Sequence, residues 1–365
     1  MTHLPSAREM ERAYRASDKS YDGIFFLAVT TTGIFCRPTC AARKPKPENV
    51  RYYSTAREAL FAGFRPCKRC RPLDSHGNSP AWMRTLLVRV DRDPSARYSD
   101  VYLRSIGIDP AAARRHFQKN FGMTFQAYCR GRRLGKALEQ IRRGVDLDDV
   151  ALGYGYASHS GFRDAFAKTF GQSPGKSRST ECVVTAWIET PLGPLVAGAT
   201  SAGICLLEFT DRRMLEAQFV SLRRHFKCAI LPGENKHILE LRKELKEYFD
   251  GSRFQFHVQT VLPGTEFQLS VWKQLLKIPY GTTASYEEIA RRIGSPGASR
   301  GVGHANGLNR IAIVVPCHRV VNKNGELGGY GGGLWRKQRL LELESGSRPQ
   351  PNGGFAAVDA PEKRR

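Results

Sequence analysis

The sequence predicts a multidomain α+β protein with a small α/β domain, an all-α domain, and a third part in which a sheet precedes helices. Three observations predict this organisation. The 365 residues are too many for one ordinary hydrophobic core. The stretches 71–80 and 170–181 are rich in Gly, Ser and Pro, which is typical of linkers. Apolar residues recur at helical spacing between these stretches and alternate with polar residues after them.

The charge and the cysteines narrow the class of protein. Lys and Arg number 57 against 34 Asp and Glu, a net charge of +23, and they are in excess in each of the three segments. This distribution favours a polyanionic partner over charge kept for solubility alone. No apolar stretch approaches a membrane span, and the first residues lack the apolar core of a secretory signal. We therefore expect a cytoplasmic location, no membrane partner, and nine reduced cysteines.

The first segment, residues 1–75, contains two close cysteine pairs. The pattern is C-x3-C, a gap of 26 residues, and C-x2-C, formed by Cys36, Cys40, Cys67 and Cys70. In a reducing compartment this spacing predicts one tetrahedral four-cysteine Zn²⁺ site. In such a small domain the metal would supply much of the folding free energy. Spacing alone favours a purely structural zinc ion.

The residues around these cysteines indicate more than structure. The stretches "FFLAVTTTGIFCRPTCAAR" and "FAGFRPCKRCRP" resemble the N-terminal zinc domain of Ada-type DNA repair proteins. The resemblance implies that zinc activates Cys36 to accept a methyl group from a methyl phosphotriester in the DNA backbone. Zinc keeps a thiol deprotonated at neutral pH, and methylation would remove one negative charge facing the phosphates. Repair would then raise the affinity for DNA.

The middle segment, residues 80–178, is predicted to be an all-α domain. Gly107 marks a turn, and Asp109-Pro110 is a typical helix start. A similar layout recurs in "DDVALGYGY" and "SHSGFRDAFAKTFG". The apolar positions at helical spacing in the first unit are Leu103, Ile106, Ile108, Phe117 and Phe121.

The two units of the middle segment resemble the tandem helix-turn-helix units of AraC-type DNA-binding domains. Such units place their second helix in the major groove. A solvated helix face explains any single charge there equally well, because phosphate contacts and solvent faces look alike in sequence. The candidate DNA contacts are Arg114 and Arg115 in the first unit, and Ser158, His159, Ser160 and Arg163 in the second.

The third segment begins with alternating apolar and polar residues up to about residue 260, which predicts a small antiparallel sheet, followed by a helix around "HILELRKELKEYFDG". Further along, Ser285 and Glu288 form a capping box at a helix start. The stretch "SRGVGHANGLN" predicts a short helix on which Gly301 and Gly303 leave one face bare for close approach to a surface. Asn309 is predicted to end this helix.

The stretch "IAIVVPCHRVV", residues 311–321, predicts a buried strand that Pro316 ends. Cys317 would then lie where a strand leaves the sheet, with His318 and Arg319 beside it. A lone cysteine is commonly a buried, unreactive core residue, and these polar neighbours argue against that role for Cys317. That fate is expected instead for the four cysteines without partner spacing, Cys129, Cys182, Cys205 and Cys228.

Residues 183–345 closely resemble the O6-alkylguanine-DNA alkyltransferase family, down to Pro-Cys-His-Arg-Val. The resemblance implies a ribonuclease-H-like part over 183–262 and a helical catalytic part over 263–345. It implies one irreversible methyl transfer per molecule, from O6-methylguanine or O4-methylthymine in DNA, without a cofactor other than the zinc ion. The implied catalytic set is Cys317 as nucleophile, His318 as base, Glu344 orienting the histidine, and Asn309 bracing the turn.

The same resemblance assigns residues to DNA and to the substrate pocket. Arg300 would fill the gap left by the flipped base, with Gly301 and Gly303 at the DNA surface. Tyr286 would aid flipping and donate a proton. Tyr330 and Val320 would form walls of the pocket, and the glycines after Tyr330 leave open whether bulkier alkyl groups fit.

Four other functions compete with this one. They are a transcription regulator with an inert methyltransferase-like part, a DNA-docked alkyltransferase without gene activation, a zinc-thiolate redox sensor, and an enzyme that uses S-adenosylmethionine. The complete catalytic set argues against an inert methyltransferase part, and the long zinc-domain match argues against redox sensing. No strand is predicted before "GYGGG", which argues against binding of S-adenosylmethionine. We expect double-stranded DNA, alkylated and promoter, as the partner, with RNA polymerase as a further one, and a monomeric protein. Residues 346–365 are predicted to be a disordered tail.

Overall fold

The computed structural model describes residues 4–70, 72–73, 81–177, 179–212 and 214–346. The predicted linker at 71–80 is described only at residues 72 and 73. The predicted tail, apart from Gly346, lies outside the described residues. The stretch 170–181 contains a single turn of 3-10 helix, Pro174–Lys176.

The first segment forms a small α/β unit around a four-stranded sheet of order β3-β1-β2-β4. Strand β1 is antiparallel to both neighbours, and β4 pairs parallel with β2. Because the strands are short, the core is small, and it contains Cys36, Cys40 and Cys67. The elements are α1 (Ala7–Arg15), β1 (Phe26–Val29), β2 (Ile34–Cys36), β3 (Val50–Tyr53), α2 (Ala56–Phe61) and β4 (Arg65–Pro66).

The described part of the middle segment contains helices and no strand, as predicted. Asp109 caps α5 by accepting the backbone N–H groups of Ala111 and Ala112, and Pro110 is the first helical residue. The predicted apolar set lies in one core, with only Ile106 partly exposed. The helices are α3 (Ala81–Arg92), α4 (Asp100–Ser105), α5 (Pro110–Phe121), α6 (Phe125–Arg142), α7 (Leu147–Gly153) and α8 (His159–Phe170).

The third segment begins with a mixed sheet of order β7-β6-β5-β8. The prediction of an antiparallel sheet is wrong for its last pair, because β8 runs parallel to β5. Helix α9 carries the chain from β7 to the far edge of the sheet, and such a crossover allows a parallel strand. The elements are β5 (Cys182–Ile188), β6 (Leu195–Ala199), β7 (Ile204–Phe209), α9 (Leu215–Phe226), β8 (Ala229–Pro232) and α10 (Lys236–Phe249).

The remainder of the third segment is helical and carries Cys317. Both halves of the predicted capping box at Ser285 and Glu288 are present. The short helix α13 forms as predicted, but it ends at Gly307, two residues before Asn309. The elements are α11 (Glu266–Leu275), β9 (Ala284–Ser285), α12 (Tyr286–Arg292), α13 (Ser299–Gly307), β10 (Val320–Val321) and α14 (Leu334–Gly346).

The predicted strand at 311–315 is wrong. Only Ile311 makes a bridge, to Leu207, and the chain then turns, with Ile313 at a φ of 70°. All five side chains are buried in the main core, so the apolar run reflects burial on every side rather than a place in a sheet. Cys317 accordingly begins a turn of 3-10 helix, Cys317–Arg319, instead of ending a strand.

The third segment contacts each of the other two. Leu334 and Trp335 of α14 pack against a cluster of the first segment that includes Tyr21 and Phe25, and the Trp335 indole N–H donates to the carbonyl of Ser20. Helix α6 of the middle segment lies on β8, where Gly131 lets the backbone approach. The catalytic part of the third segment therefore contacts the first segment, and its sheet part contacts the middle segment.

Candidate active site and zinc centre

Cys317 lines a cavity of about 640 Å³ at the junction of α12, α13 and the loop before α14. The cavity collects four of the predicted site residues around the thiol, namely Tyr286, Arg300, Gly303 and Tyr330. Cys317 itself is only 7% exposed. Its thiol therefore faces the cavity from an otherwise buried position.

Asn309 fixes the turn that carries Cys317. Its side-chain amide donates to the Cys317 Sγ (3.1 Å) and to the carbonyl of Val315 (2.9 Å), while its Oδ1 accepts from the Ile311 N–H (3.0 Å). Burial raises the pKa of the Cys317 thiol, and the hydrogen bond from Asn309 opposes that rise. The thiolate therefore needs a base to form at neutral pH.

His318 has the properties of such a base. Its Nε2 lies 2.8 Å from a carboxylate oxygen of Glu344, and both side chains are fully buried. Burial lowers the pKa of His318, so the imidazole is neutral at neutral pH. With its proton on Nε2 facing the carboxylate, Nδ1 is the acceptor, and among the described residues this atom has no hydrogen-bond partner.

Glu344 anchors a wider network that the sequence did not predict. Arg319 donates to both carboxylate oxygens (2.8 and 2.9 Å), and the Tyr248 hydroxyl donates to one of them (2.8 Å). Although burial acts to raise the pKa of Glu344, the hydrogen bonds from His318 and Arg319 lower it to about 2. Arg319 could have been suspected from its place beside His318. Tyr248, 96 residues from Glu344, gave no sequence signal.

Two of the glycines that line the cavity are in close contact with side chains, whereas a Cβ on Gly329, beside Tyr330, would meet no atom within 4 Å. A Cβ on Gly328 would lie 2.6 Å from the Tyr286 hydroxyl, and one on Gly331 would lie 2.6 Å from the Arg212 guanidinium carbon. Neighbouring side chains already occupy the space that these glycines leave. Of the wall residues predicted at this site, Tyr330 lines the cavity.

Two further site residues lie differently from what the sequence predicted. Val320 is fully buried, pairs with Ala284 and is not among the residues that line the cavity. A Cβ on Gly301 would lie 3.1 Å from the ring of Phe267, so this glycine serves close packing of α13 on α11. Gly303 does line the cavity.

The four predicted zinc ligands are brought together. The sulfur atoms of Cys36, Cys40, Cys67 and Cys70 all lie within 4.8 Å of one another. Zn–S bonds of about 2.3 Å in a tetrahedron place sulfur atoms about 3.8 Å apart, so this set fits one Zn²⁺ ion. The hydrogen bond to Cys70, burial and the charges of the other cysteines raise the pKa of the Cys36 thiol.

Arg37 supports the zinc centre from the next position in the chain. Its backbone N–H donates to the Cys70 Sγ (3.4 Å) and its Nε–H to the carbonyl of Cys70 (3.1 Å). The same side chain, 2% exposed, pairs with Asp22 at 3.3 Å. This arrangement orients the ligands and places positive charge beside the thiolates.

Of the predicted DNA contacts of the middle segment, some make contacts within the protein and others are exposed. The Ser158 hydroxyl accepts the Gly161 N–H (3.1 Å) and so caps α8, which is a structural role. His159 pairs with Asp148 at 2.8 Å. The three arginines are exposed on the second helix of each unit: Arg114, Arg115 and Arg163.

Comparison with known proteins matches all three segments. Residues 9–73 match the metal binding domain of Ada, residues 102–180 a helix-turn-helix domain, and residues 266–346 the DNA binding domain of 6-O-methylguanine DNA methyltransferase. The chain is 33% identical to the bifunctional transcriptional activator/DNA repair enzyme Ada of Escherichia coli, over 90% of this chain and 94% of that protein.

Two further relatives resemble the third segment. The methylated-DNA–protein-cysteine methyltransferase of Mycobacterium tuberculosis is 48% identical over 44% of this chain and 92% of its own length. The crystal structure of the O6-methylguanine methyltransferase of the same organism is 45% identical, covers 47% of this chain and 96% of that one, and superposes with a TM-score of 0.38.

These matches and the site geometry define a methylated-DNA–protein-cysteine methyltransferase joined to a zinc domain with one Zn²⁺ and an AraC-type helix-turn-helix domain. The chain belongs to the Ada family of bifunctional transcriptional activators and DNA repair enzymes. Members combine methyl transfer from damaged DNA with transcriptional regulation. Among the described residues, no helix combines the length and apolar character needed to cross a membrane.

Proposed function

We propose that Cys317 accepts the methyl group of O6-methylguanine once per protein molecule. The Sγ attacks the methyl carbon, the bond from carbon to O6 breaks, and its electron pair passes to guanine. The thiol proton passes through a water molecule to Nδ1 of His318, which no described residue hydrogen-bonds, and Tyr286, which lines the cavity, returns a proton to the base. The observation that carries this proposal is the environment of the Cys317 thiol. The thiol faces a cavity and accepts a hydrogen bond from Asn309. The next residue, His318, is neutral and is hydrogen-bonded to the buried carboxylate of Glu344.

Extrusion of the base from the duplex is the second part of this proposal. Flipping costs a few kcal/mol, which contacts to the duplex must offset. Arg300 is exposed at the start of α13 and lines the cavity, so it can enter the space that the base leaves. O4-methylthymine, which carries its methyl on an equivalent ring oxygen, is the second substrate in this proposal.

The acceptor is tested by mass spectrometry after reaction with duplex DNA that carries labelled O6-methylguanine. We expect one methyl group on the peptide that contains Cys317. Cys317→Ala should abolish guanine repair, whereas Cys205→Ala, at a buried cysteine within the sheet, should keep it. Guanine repair at the native rate by Cys317→Ala would reject the proposal.

Cys36 is proposed as the acceptor for methyl phosphotriesters. When bound, Zn²⁺ keeps the cysteine sulfurs deprotonated and nucleophilic at neutral pH. Cys36 lines a second cavity, of about 410 Å³, whose rim carries Arg43, Lys44 and Lys46, a suitable charge for a DNA backbone. We expect one zinc per chain and loss of methylation at Cys36 after chelation. Unchanged transfer to Cys36 in metal-free protein would contradict the role of zinc.

Methylation of Cys36 is proposed to control regulation. One thiolate becomes a neutral thioether, so repulsion from phosphates falls and affinity for promoter DNA rises, most at low salt. Operator affinity of methylated and unmethylated protein across a salt series tests this. Equal affinities at every salt concentration would leave the middle segment as a device that docks the enzyme on DNA. Contact with RNA polymerase, a monomeric state and cytoplasmic location complete the proposal.

A further inference from the structure

Arg212 is a buried arginine close to Cys317 that belongs to the sheet part of the methyltransferase, not to the helical catalytic part. It follows β7, and its side chain is 6% exposed. Its guanidinium pairs with the carboxylate of Glu208, which is fully buried and also accepts from the Phe209 N–H and the Gln218 amide. The cation is therefore held in one place by a satisfied buried counter-ion.

The same guanidinium contacts the backbone that shapes the acceptor site. Its Nη1 donates to the carbonyl of Asn309 (3.0 Å), and its Nη2 donates to the carbonyl of Gly307, the last residue of α13. Both carbonyls lie past the hydrogen-bonded part of that helix, where partners are otherwise lacking. The side chain of this same Asn309 donates to the Cys317 Sγ.

Arg212 also contacts the loop beside Tyr330, which lines the same cavity. A Cβ on Gly331 would lie 2.6 Å from the guanidinium carbon, so the loop beside Tyr330 packs directly on Arg212. Only glycine permits this approach. One side chain therefore touches both the Asn309 turn and the Tyr330 loop.

We propose that Arg212 is a positioning residue for methyl transfer: with Glu208 as its counter-ion, it holds the Asn309 turn and the Tyr330 loop around Cys317. The sheet part of the methyltransferase would then contribute directly to the reactivity of the cysteine. This inference rests on the proposed role of Cys317 as the acceptor.

Electrostatics support the inference. Burial is the main cause of the raised pKa of the Cys317 thiol; Arg212 lowers that pKa and Glu208 raises it. The two side chains should therefore shift the ionisation of the thiol in opposite directions. The other titratable or charged groups around Cys317 come from the 317–319 turn, α12, the 328–333 loop and α14: His318, Arg319, Tyr286, Tyr330, Lys337 and Glu344.

The test measures the rate at which iodoacetamide alkylates Cys317 in the full chain as a function of pH, read on the peptide that contains Cys317. Arg212→Gln should raise the pH midpoint by about one unit, and Glu208→Gln should lower it. Single-turnover methyl transfer should slow roughly tenfold in Arg212→Gln at saturating DNA, because misplaced reacting groups slow the step rather than binding. Arg212→Lys, which keeps the charge, should restore the midpoint in part.

Arg253→Gln is the matched control. Arg253 lies in the same sheet part and pairs with the buried Glu244 at 3.1 Å and with Glu247 at 2.7 Å, but among the described residues its hydrogen bonds reach neither 307–317 nor 328–333. Its midpoint should match that of the native protein. A native midpoint in folded Arg212→Gln, or equal shifts in both arginine variants, would overturn the proposal. If Arg212→Gln does not fold, the Glu208→Gln variant tests the proposal instead: a lowered pH midpoint supports it, and an unchanged or raised midpoint overturns it.

The alkylation profile keeps this test separate from the proposed function. If Cys317 were not the methyl acceptor, its thiol would still titrate, and the opposite shifts would still report on Arg212 and Glu208. Absence of methyl on Cys317 with opposite shifts present would reject the acceptor role alone.

Discussion

Glu344 shows how one buried side chain sets the chemistry of its neighbours. Its carboxylate accepts hydrogen bonds from His318, Arg319 and Tyr248, and from the backbone N–H of Gly281. Because the carboxylate stays ionised, His318 keeps its proton on Nε2 and leaves Nδ1 free to act as a base. The charge of Glu344 also compensates the buried guanidinium of Arg319.

Glu344→Gln is expected to slow methyl transfer to Cys317 and to lower the free energy of unfolding by about 3–5 kcal/mol, because it leaves Arg319 buried without a counter-ion. The pKa of Glu344 is lowered to about 2 from an ordinary 4.5. Its ionisation therefore stabilises the fold above pH 4.5, and this contribution is lost as the pH falls toward 2. Urea titrations across this range should show a weaker pH dependence in the variant.

Glu342→Gln is the control for this prediction. Glu342 lies on the same helix, but it is 43% exposed, and its side-chain partners among the described residues are the surface groups Arg339 and Gln338. Its replacement should change neither the stability by more than about 0.5 kcal/mol nor the methyl transfer rate. Equal stability losses in both variants would show that the buried network is not what makes Glu344 important.

At the scale of elements, α13 carries Arg300, which lines the cavity and is proposed to act on duplex DNA. Arg300→Ala should slow transfer from duplex DNA roughly tenfold while transfer from free O6-methylguanine base stays unchanged, since only the duplex requires base extrusion. Single-turnover rates on the two substrates test this. Arg292→Ala, which removes an exposed arginine of α12 paired with Glu288, is the control and should affect neither rate. Equal slowing on both substrates would assign Arg300 to the chemistry instead of extrusion.

The second helix-turn-helix unit allows stability and DNA binding to be separated on one helix. Ser158→Ala removes the cap of α8 and should lower stability by about 1 kcal/mol. Arg163→Ala should leave stability unchanged and reduce the slope of log affinity against log salt by about 1 if the residue contacts a phosphate. Thermal unfolding and a salt series on operator DNA measure the two effects. An unchanged slope for Arg163→Ala would make it a solvated surface residue.

At the scale of the whole molecule, the first segment is joined to the catalytic part through Trp335. Loss of zinc should unfold the first segment and remove the partner surface of α14. The unfolding temperature of the methyltransferase part should then fall by about 2–4 °C for each kcal/mol of lost contact. Calorimetry with and without a chelator measures this difference.

Trp335→Ala should reduce the effect of zinc on the methyltransferase part, because it removes the indole that contacts Ser20 and the cluster around Tyr21. Trp187→Ala is the control, since Trp187 packs on Phe121 of the middle segment instead. It should preserve the effect of zinc. A zinc effect of native size in Trp335→Ala would show that the two parts unfold independently.

Local spacing is what the sequence alone determined about this protein. The cysteine pairs, the helix start at Asp109 and the capping box at Ser285 were predicted correctly, because each depends on atoms a few residues apart or on a ligand set that a turn brings together. The resemblance of residues 183–345 likewise led to the cavity around Cys317, since that pattern is carried by closely spaced residues.

Only the tertiary structure decided the surroundings of the acceptor. The run at 311–315 is buried on all sides without joining a sheet, and apolar character alone does not distinguish these two situations. Gly331, beside Tyr330, proved to be a site of close packing on Arg212. Tyr248 bonds Glu344, which is 96 residues away in the chain, and Arg212 bonds Asn309, which is 97 residues away. Such contacts leave no periodicity or spacing in the sequence, because the fold alone brings their partners within hydrogen-bonding distance.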